Sequence, residues 1–431
     1  MKKKILSAVV AVVLVVVSFT AGFFIRNWTN PDLASLDFIS REYKKHYLDG
    51  KDEYLSTMTK SILDPYSRYY TKKEYDELKQ SNKGIRAGIG VTFLVENAEV
   101  YSVCGNSPAE KAGITKGGLI VGVKTADDKE YTAVTNYNEV SEKLDKVAAN
   151  VKFSLKIRYG EEEKEFTLAK EEYRETYVFY EDNTSSYRFN DENGKNMSMV
   201  QCGNGNSVLG ESAAYLKYTA FNGLEKGLNG SAGQFAAAMK KFKATGKKNL
   251  ILDLRGNGGG FMDILTSVAA HLIGAENGSK KVVSRTVDKN GNETNFISEK
   301  VDYADYGFEK IVVLGDDGTA SASEALIGAM LDYDEKGIVS VVLSGYKDTS
   351  GKIIYRTYGK GIMQTTYENP TTGEAIRLTT AKICWPISGI TIHGVGVTKD
   401  IEKYSARVFT PTIETGTDYE FNCAVGLISG R

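Results

Sequence analysis

A run of 21 uncharged, mostly apolar residues, Ile5–Ile25, opens the chain between Met1-Lys-Lys-Lys4 and Arg26. It is long enough to cross a bilayer core as a helix. The flanking lysines predict a cytoplasmic N-terminus with the body outside. A cleaved signal peptide, leaving a secreted body, is the alternative, but Phe19 two residues before Ala21 fits a small-x-small cleavage site poorly. Residues 1–26 are therefore expected to be an uncleaved anchor on a single-pass membrane protein. From Asn30 to Asn82 the apolar residues take helical spacing (Leu33, Leu36, Phe38, Ile39, then Tyr54, Met58, Ile62, Leu63), interrupted at Pro65. Residues 27–82 thus predict two or three short helices, too small a set for a core of their own.

At Gly84 the pattern changes to alternation punctuated by glycine. The order strand, strand, short helix, strand, longer helix, strand fits residues 83–172, with "NYNEVSEKLDKV" as the longer helix and "VKFSLKIRYGEEEKEFTLAKEE" as a hairpin. This order, with Gly88-Ile89-Gly90-Val91 and "NSPAEKAGI.KGG", resembles a PDZ domain. The resemblance implies that Gly88, Ile89, Gly90 and Val91 form a loop whose backbone N–H groups hold a peptide's C-terminal carboxylate while the peptide adds a strand. Residues 173–210 are polar and tyrosine-rich and read only as a connection. Beyond them, strand-like "AAYLKYTAF" precedes a helix over "GQFAAAMKKFKA". "KNLILDLRGNGGG" and "KIVVLGDDG" are hydrophobic strands, each ending in a tight turn before an apolar helix. Two such units predict a βαβ-type core with buried strands over residues 173–431. The expected fold class is multidomain: an anchor, a helical segment, a mainly β PDZ domain and a mixed α/β core.

A net charge of −1 and no long basic block give no electrostatic case for nucleic acid as a partner. Cys104, Cys202, Cys384 and Cys423 lie far apart without metal-ligand spacing, so no zinc site is expected.

Three short stretches carry the chemistry. "DLRGNGGG" (Asp253–Gly260) fails as a phosphate loop: no Lys-Ser or Lys-Thr follows, and Phe261 stands where a dinucleotide fingerprint needs glycine. What remains is a loop of bare backbone amides, either a tight turn for close packing or a cradle for an oxyanion. "GTASASEALIGAM" offers hydroxyls at Thr319, Ser321 and Ser323, and Ser321-Ala-Ser-Glu324 also fits a helix capping box. The chain has three histidines (His46, His271, His393), none beside an acid in a recognisable triad motif, so a serine would need another base. Lys360, between glycines in "GKGIMQ", can serve if burial lowers its pKa; alone it would read as an exposed hairpin lysine. Gln364, at an even offset, would share its face of a strand.

Taken in order, "DPYSRYY", the PDZ-like segment, "LILDLRGNGGG", "TASASEALIGAM", "GKGIMQ" and "LTTAK…WPISGITIHGVGVTKDIE" resemble the carboxy-terminal processing (tail-specific) proteases. The resemblance runs from about residue 30 to beyond residue 400. It implies a Ser–Lys endopeptidase with Ser321 as nucleophile, Lys360 as general base and Gln364 as the lysine's partner. The oxyanion donors would be the amides of Gly260 and Ala322, and Asp332 would be structural. It further implies protein or peptide substrates with a free C-terminus, a gating role for the PDZ domain, and a possible homodimer through the N-terminal helices. One departure stands out. "KDTSGKIIYRT" is an extra stretch between serine and lysine, and it brings Lys347 and Lys352 nearer the usual spacing. Lys360 is preferred for its flanking glycines and following glutamine. The rival reading is a membrane-anchored PDZ scaffold on an inactive protease core.

Overall fold

A computed structural model describes residues 31–46, 54–94, 97–191, 196–273, 279–301 and 303–430. The expected anchor, residues 1–26, lies outside the described residues, among which no helix is long and apolar enough to cross a membrane. The chain divides into two compact units, Met1–Tyr69 and Tyr70–Arg431. The first contains helices Pro31–His46 and Tyr54–Ile62. The third helix of the expected helical segment, Lys72–Asn82, belongs to the second unit. Thr71 caps that helix: its hydroxyl accepts from the Glu74 N–H while the Glu74 carboxylate accepts from the Thr71 N–H.

Residues 85–169 gather around a hydrophobic core of their own, built from Val100, Ile120, Val123, Val140, Leu155 and Ile157 among others. The elements follow the expected order with one strand more before the short helix, Ile85–Gly88, which pairs with Glu171–Arg174. Ile85–Gly88, Val91–Phe93 and Val100–Val103 precede the short helix Pro108–Ala112. Strand Leu119–Lys124, helix Tyr137–Asp145 and the hairpin Lys152–Tyr159/Glu162–Ala169 complete it. The hairpin turns at Gly160, whose φ of +61° suits glycine.

The larger core is a mixed eight-stranded sheet. Its parallel half runs Ala213–Tyr218, Asn249–Asp253, Lys310–Gly315, Val339–Leu343, Val408–Phe409. Asn249–Asp253 is buried at every position, as a central strand covered on both faces must be. Helices Ser231–Ala244, Met262–Ala269 and Ala322–Tyr333 contribute to the main hydrophobic core, while Tyr419–Ser429 packs through a second cluster around Ile251, Val312 and Val342. The antiparallel half corrects the sequence reading. Within residues 173–210, Val178–Asp182, Ser185–Asp191 and Met197–Asn204 are strands rather than mere connection. Val178, Tyr180 and Asp182 alternate inward, and tyrosine and aspartate at inward positions hide the apolar period.

A separate antiparallel ribbon, Ile362–Glu368 with Ala375–Cys384, continues into Val282–Asp288 and Glu293–Ile297. The extra stretch between serine and lysine folds as its own two-stranded hairpin, Gly345–Lys347 with Ile353–Tyr355. The Asp348 carboxylate closes its turn by accepting from the N–H groups of Ser350 and Lys352 at 2.9 and 3.0 Å.

Candidate active site

Each half of the βαβ core delivers one loop to the same cleft. Strand Asn249–Asp253 leads through the glycine loop into helix Met262–Ala269, and strand Lys310–Gly315 leads through residues 316–321 into helix Ala322–Tyr333. Asn257 joins the two loops. Its buried side chain donates to the Tyr218 carbonyl at 2.8 Å and accepts from the Gly259 N–H at 2.9 Å. Its own carbonyl accepts from the Ala320 N–H at 3.0 Å and from the Ser323 hydroxyl at 2.9 Å.

These contacts set the three hydroxyls apart. Thr319 is buried and donates to the Leu254 carbonyl at 2.8 Å, and Ser323 is buried on Asn257. Ser321 alone of the three lines the cleft. Its backbone takes φ +58° and ψ −115°, the first corner of a II′ turn, which residues with a Cβ rarely adopt. Such strain costs about 1–3 kcal/mol and persists where the surroundings over-determine it. Gly259 is part of what holds it there. A Cβ on Gly259 would come within 2.6 Å of the Ala320 oxygen and 2.8 Å of the Ser321 Cβ, so the loop abuts the serine with no room for a side chain.

The cleft, about 590 Å³, is lined by Ser321, Lys360, Gln364 and Gly258–Gly260, with Leu78, Ser81 and Asn82 of helix Lys72–Asn82 on another side. Gly260 forms an isolated parallel bridge with Phe221. Phe221 uses both its polar groups there, donating to the Gly259 oxygen at 3.0 Å and accepting from the Phe261 N–H at 2.8 Å, so the Gly260 N–H takes no part in that bridge. Ala322 is the first residue of its helix, where N–H groups lack intrahelical acceptors and the helix dipole favours negative charge. Both amides are thus suited to an oxyanion.

One carboxylate ties the serine to the lysine. Glu324 is fully buried; its Oε2 accepts from the N–H groups of Ser321 at 2.8 Å and Lys360 at 2.9 Å. Its Oε1 accepts from the Gly359 N–H at 2.8 Å and from the Thr357 hydroxyl. Burial pushes its carboxyl above the ordinary value, against the hydrogen bonds from Thr357, Gly359, Ser321 and Lys360, which favour the charged form. Glu324 is therefore more than the capping residue read from sequence. The signal was its S-x-x-E position, but the contact to residues 357–360 spans more than thirty residues and leaves no local trace. The "HGVG" stretch braces the same loop, with the Gly394 N–H donating to the Gly359 oxygen at 2.8 Å and the Val397 N–H to Thr357 Oγ1 at 2.7 Å.

Lys360 precedes its strand, which begins at Ile362, and a bulge interrupts the register between Met363 and Gln364. The even-offset argument therefore fails, although both side chains reach the cleft; the Gln364 amide donates to Thr379 Oγ1 at 3.2 Å. Lys347 and Lys352 are exposed on the hairpin and do not line the cleft. Asp332 is fully buried and accepts from the N–H groups of Ile387 and Ser388, both at 2.9 Å, and from the Tyr404 hydroxyl. It braces the helix against the Trp385–Ser388 turn. His271 is half-buried, with Nδ1 2.6 Å from the Tyr306 hydroxyl, and His393 is exposed.

At Gly88–Val91, Gly88 has φ +137° and open space where a Cβ would be, whereas a Cβ on Gly90 would meet the Ser107 Cβ at 2.2 Å. Gly90 is thus required by internal packing as well as by its φ of +77°. The Ile89 and Gly90 carbonyls accept from the Ala109 and Cys104 N–H groups, and Ile89 is buried, which fixes the loop. The adjoining strand Val91–Phe93 pairs along one edge with Val100–Val103. Phe93 meets Tyr137 of helix Tyr137–Asp145 at 5.6 Å between ring centroids.

Residues 212–403 match the model of peptidase family S41. A Staphylococcus epidermidis protein described as a probable CtpA-like serine protease is 27% identical over 386 residues, covering 86% of this chain and 65% of that protein. The chain thus spans less than two thirds of that relative's length. A Staphylococcus aureus protein of the same description is 26% identical over 423 residues, covering 94% of this chain and 73% of its own length. Among solved structures, one from Bacteroides fragilis described as an S41 protease has a TM-score of 0.52 at 16% identity, over 87% of this chain and 90% of that one, a likeness of fold.

Proposed function

We propose, from the match of residues 212–403 to peptidase family S41 and the CtpA-like relatives, that the chain is a member of that family and a serine endopeptidase with a Ser321–Lys360 dyad, cleaving protein substrates near a free C-terminus. The observation that carries the reading is the pairing of a strained, cleft-facing Ser321 with Lys360 in one cleft, their backbones bonded to the same Glu324 carboxylate. In the first step neutral Lys360 Nζ takes the Ser321 proton as Oγ attacks the scissile carbonyl carbon. The amides of Gly260 and Ala322 hold the resulting oxyanion. Collapse expels the amine, which takes the proton back from Lys360, and leaves an ester on Ser321. Water, deprotonated by the same lysine, then releases the acid and restores the serine. No metal or cofactor enters this sequence.

Residues 83–172 are read as a PDZ domain that holds the substrate's tail. The tail would lie along the open edge of Val91–Phe93, with its carboxylate at the amides of Gly88–Val91. Hydrolysis by a chain lacking residues 84–172 that stayed as fast and as tail-selective as the full chain would sink this part. The apolar run Ile5–Ile25 supports an anchor that places the body outside the cytoplasm, to be checked by membrane fractionation and protease accessibility in intact cells.

The deciding experiment offers the full chain in detergent an unfolded protein with a free apolar C-terminus. Ser321→Ala and Lys360→Ala are each expected to lower kcat/KM at least about 10³-fold. Lys347→Ala, on the exposed hairpin, is expected to stay within about twofold. Activity surviving Ser321→Ala overturns the mechanism, and loss in Lys347→Ala with retention in Lys360→Ala moves the base. Tail binding without cleavage by the unmutated chain would favour the scaffold reading.

A further inference from the structure

The ribbon Ile362–Glu368/Ala375–Cys384 forms one wall of the cleft, and its register pairs Gln364 with Thr379 and Thr366 with Arg377. Cross-strand partners, and residues two apart on one strand, point to the same face. Gln364, Thr366 and Arg377 therefore share a face, and all three line the cleft that holds Ser321 and Lys360. Arg377 is half-buried, its guanidinium 5.3 Å from the centroid of the Tyr70 ring. Among the described residues no carboxylate lies within ion-pair distance of it.

Asp263 also lines the cleft but makes no ion pair with Arg377, and other nearby charges are committed elsewhere. Arg86, the other arginine of the cleft, is paired with Glu175 at 3.0 Å. On the ribbon itself, Glu368 is paired with Lys79 at 3.6 Å, and Glu374 accepts from the Thr372 hydroxyl at 2.8 Å. A half-buried cation without an anion is costly to maintain, and a guanidinium placed over an aromatic ring still presents a planar fork suited to a carboxylate. We propose that Arg377 is a specificity-determining residue that binds a carboxylate of the substrate. This rests on the peptidase reading of the same cleft. Arg377 stands two residue pairs beyond Gln364 along the ribbon, about 7 Å, so the carboxylate lies about two to four residues of extended substrate from the bond cut. Either an acidic side chain or the chain terminus can supply it.

The test uses the full chain and peptides of one sequence, with Glu replaced by Gln at each of the four positions on either side of the scissile bond, and a C-terminal amide in a separate arm. kcat and KM are measured for wild type, Arg377→Gln and Arg377→Lys. Wild type is expected to lose at least about tenfold in kcat/KM on one of these changes, mainly through KM, the scale of one charge-assisted hydrogen-bonded pair. Which arm responds tells side chain from terminus. In Arg377→Gln that preference collapses to about one, and Arg377→Lys recovers part of it. Wild type indifferent to every change, or an Arg377→Gln enzyme that keeps the preference, overturns the proposal, as does loss of charged and neutral peptides by one common factor. A wild type that cleaves none of the peptides overturns the peptidase reading as well, and is told apart by that silence.

Discussion

Ser321 carries backbone strain that a serine with only a capping duty would have no reason to bear, because a cap normally sits in extended conformation. Its neighbours at Thr319 and Ser323 are tied to carbonyls in the interior, so the side chain that faces the cleft is the one in the unusual conformation. Glu324 is the residue on which that arrangement depends. Glu324→Ala would leave three N–H groups, those of half-buried Ser321 and Lys360 and buried Gly359, without their acceptor. An unsatisfied buried donor costs about 1–3 kcal/mol. The expected outcome is a clear loss of thermal stability together with a fall in kcat of at least about 10²-fold. Unchanged kcat in a folded Glu324→Ala chain would show that the carboxylate does not position the pair. Gly259→Ala makes a comparable prediction from the opposite side: with a Cβ 2.7 Å from the Ala322 nitrogen, the serine must shift, and kcat should fall while peptide binding to the segment at 83–172 persists. At this scale the sequence made legible which residues meet in the cleft, Ser321, Lys360 and the glycines, because each stands in a short motif of fixed spacing. Glu324 and Arg377 were not, because their roles come from strands and loops brought together across the fold.

Among the elements, helix Ala322–Tyr333 is buried from Ala322 through Leu331, and its packing leaves a sharp steric test. A Cβ on Gly328 would come within 2.2 Å of the Trp385 ring, itself almost wholly buried. Gly328→Ala is expected to destabilise the protein by about 1–3 kcal/mol through overpacking, read as a lowered denaturant midpoint at unchanged m-value. The extra hairpin Gly345–Tyr355 explains why the serine–lysine spacing is long without displacing Lys360, since it closes on itself and keeps its lysines in solvent. Central strands such as Asn249–Asp253 were readable as continuous apolar runs. The strands within 178–204 were not, because Tyr180, Tyr187 and Asp182 occupy positions where an apolar period would have announced them.

For the molecule as a whole, two features link the site to global stability. His271 is half-buried against the Phe235 and Tyr306 rings, and desolvation lowers its pKa from 6.5 to about 4. The folded state therefore keeps the ring neutral where the unfolded chain would protonate it. Its contribution is fully present above pH 6.5 and is lost as pH falls from 6.5 toward about 4, a loss of about 3 kcal/mol. His271→Gln should flatten that part of the stability–pH curve, measured by denaturant unfolding between pH 7 and 4; an unchanged slope would assign it to other groups. The second feature is the clamp from the final helix. Arg255, at the mouth of the glycine loop, is bonded to Asp253 at 2.7 Å and to Asp418 at 2.7 Å. Burial opposes its charge, but those carboxylates outweigh it and hold the guanidinium firmly protonated. Asp418→Asn weakens the link between the C-terminal helix and the glycine loop, and is expected to lower kcat severalfold with KM little changed.

The central claim is that Ser321 forms the covalent intermediate and Lys360 activates it. Quenching a reaction in acid within the first turnover and mapping the peptides by mass tests it directly. The account predicts an acyl mass on the peptide that contains Ser321, absent from Ser321→Ala and failing to accumulate in Lys360→Ala. An adduct on any other side chain, or turnover by Ser321→Ala at the wild-type rate, would contradict it.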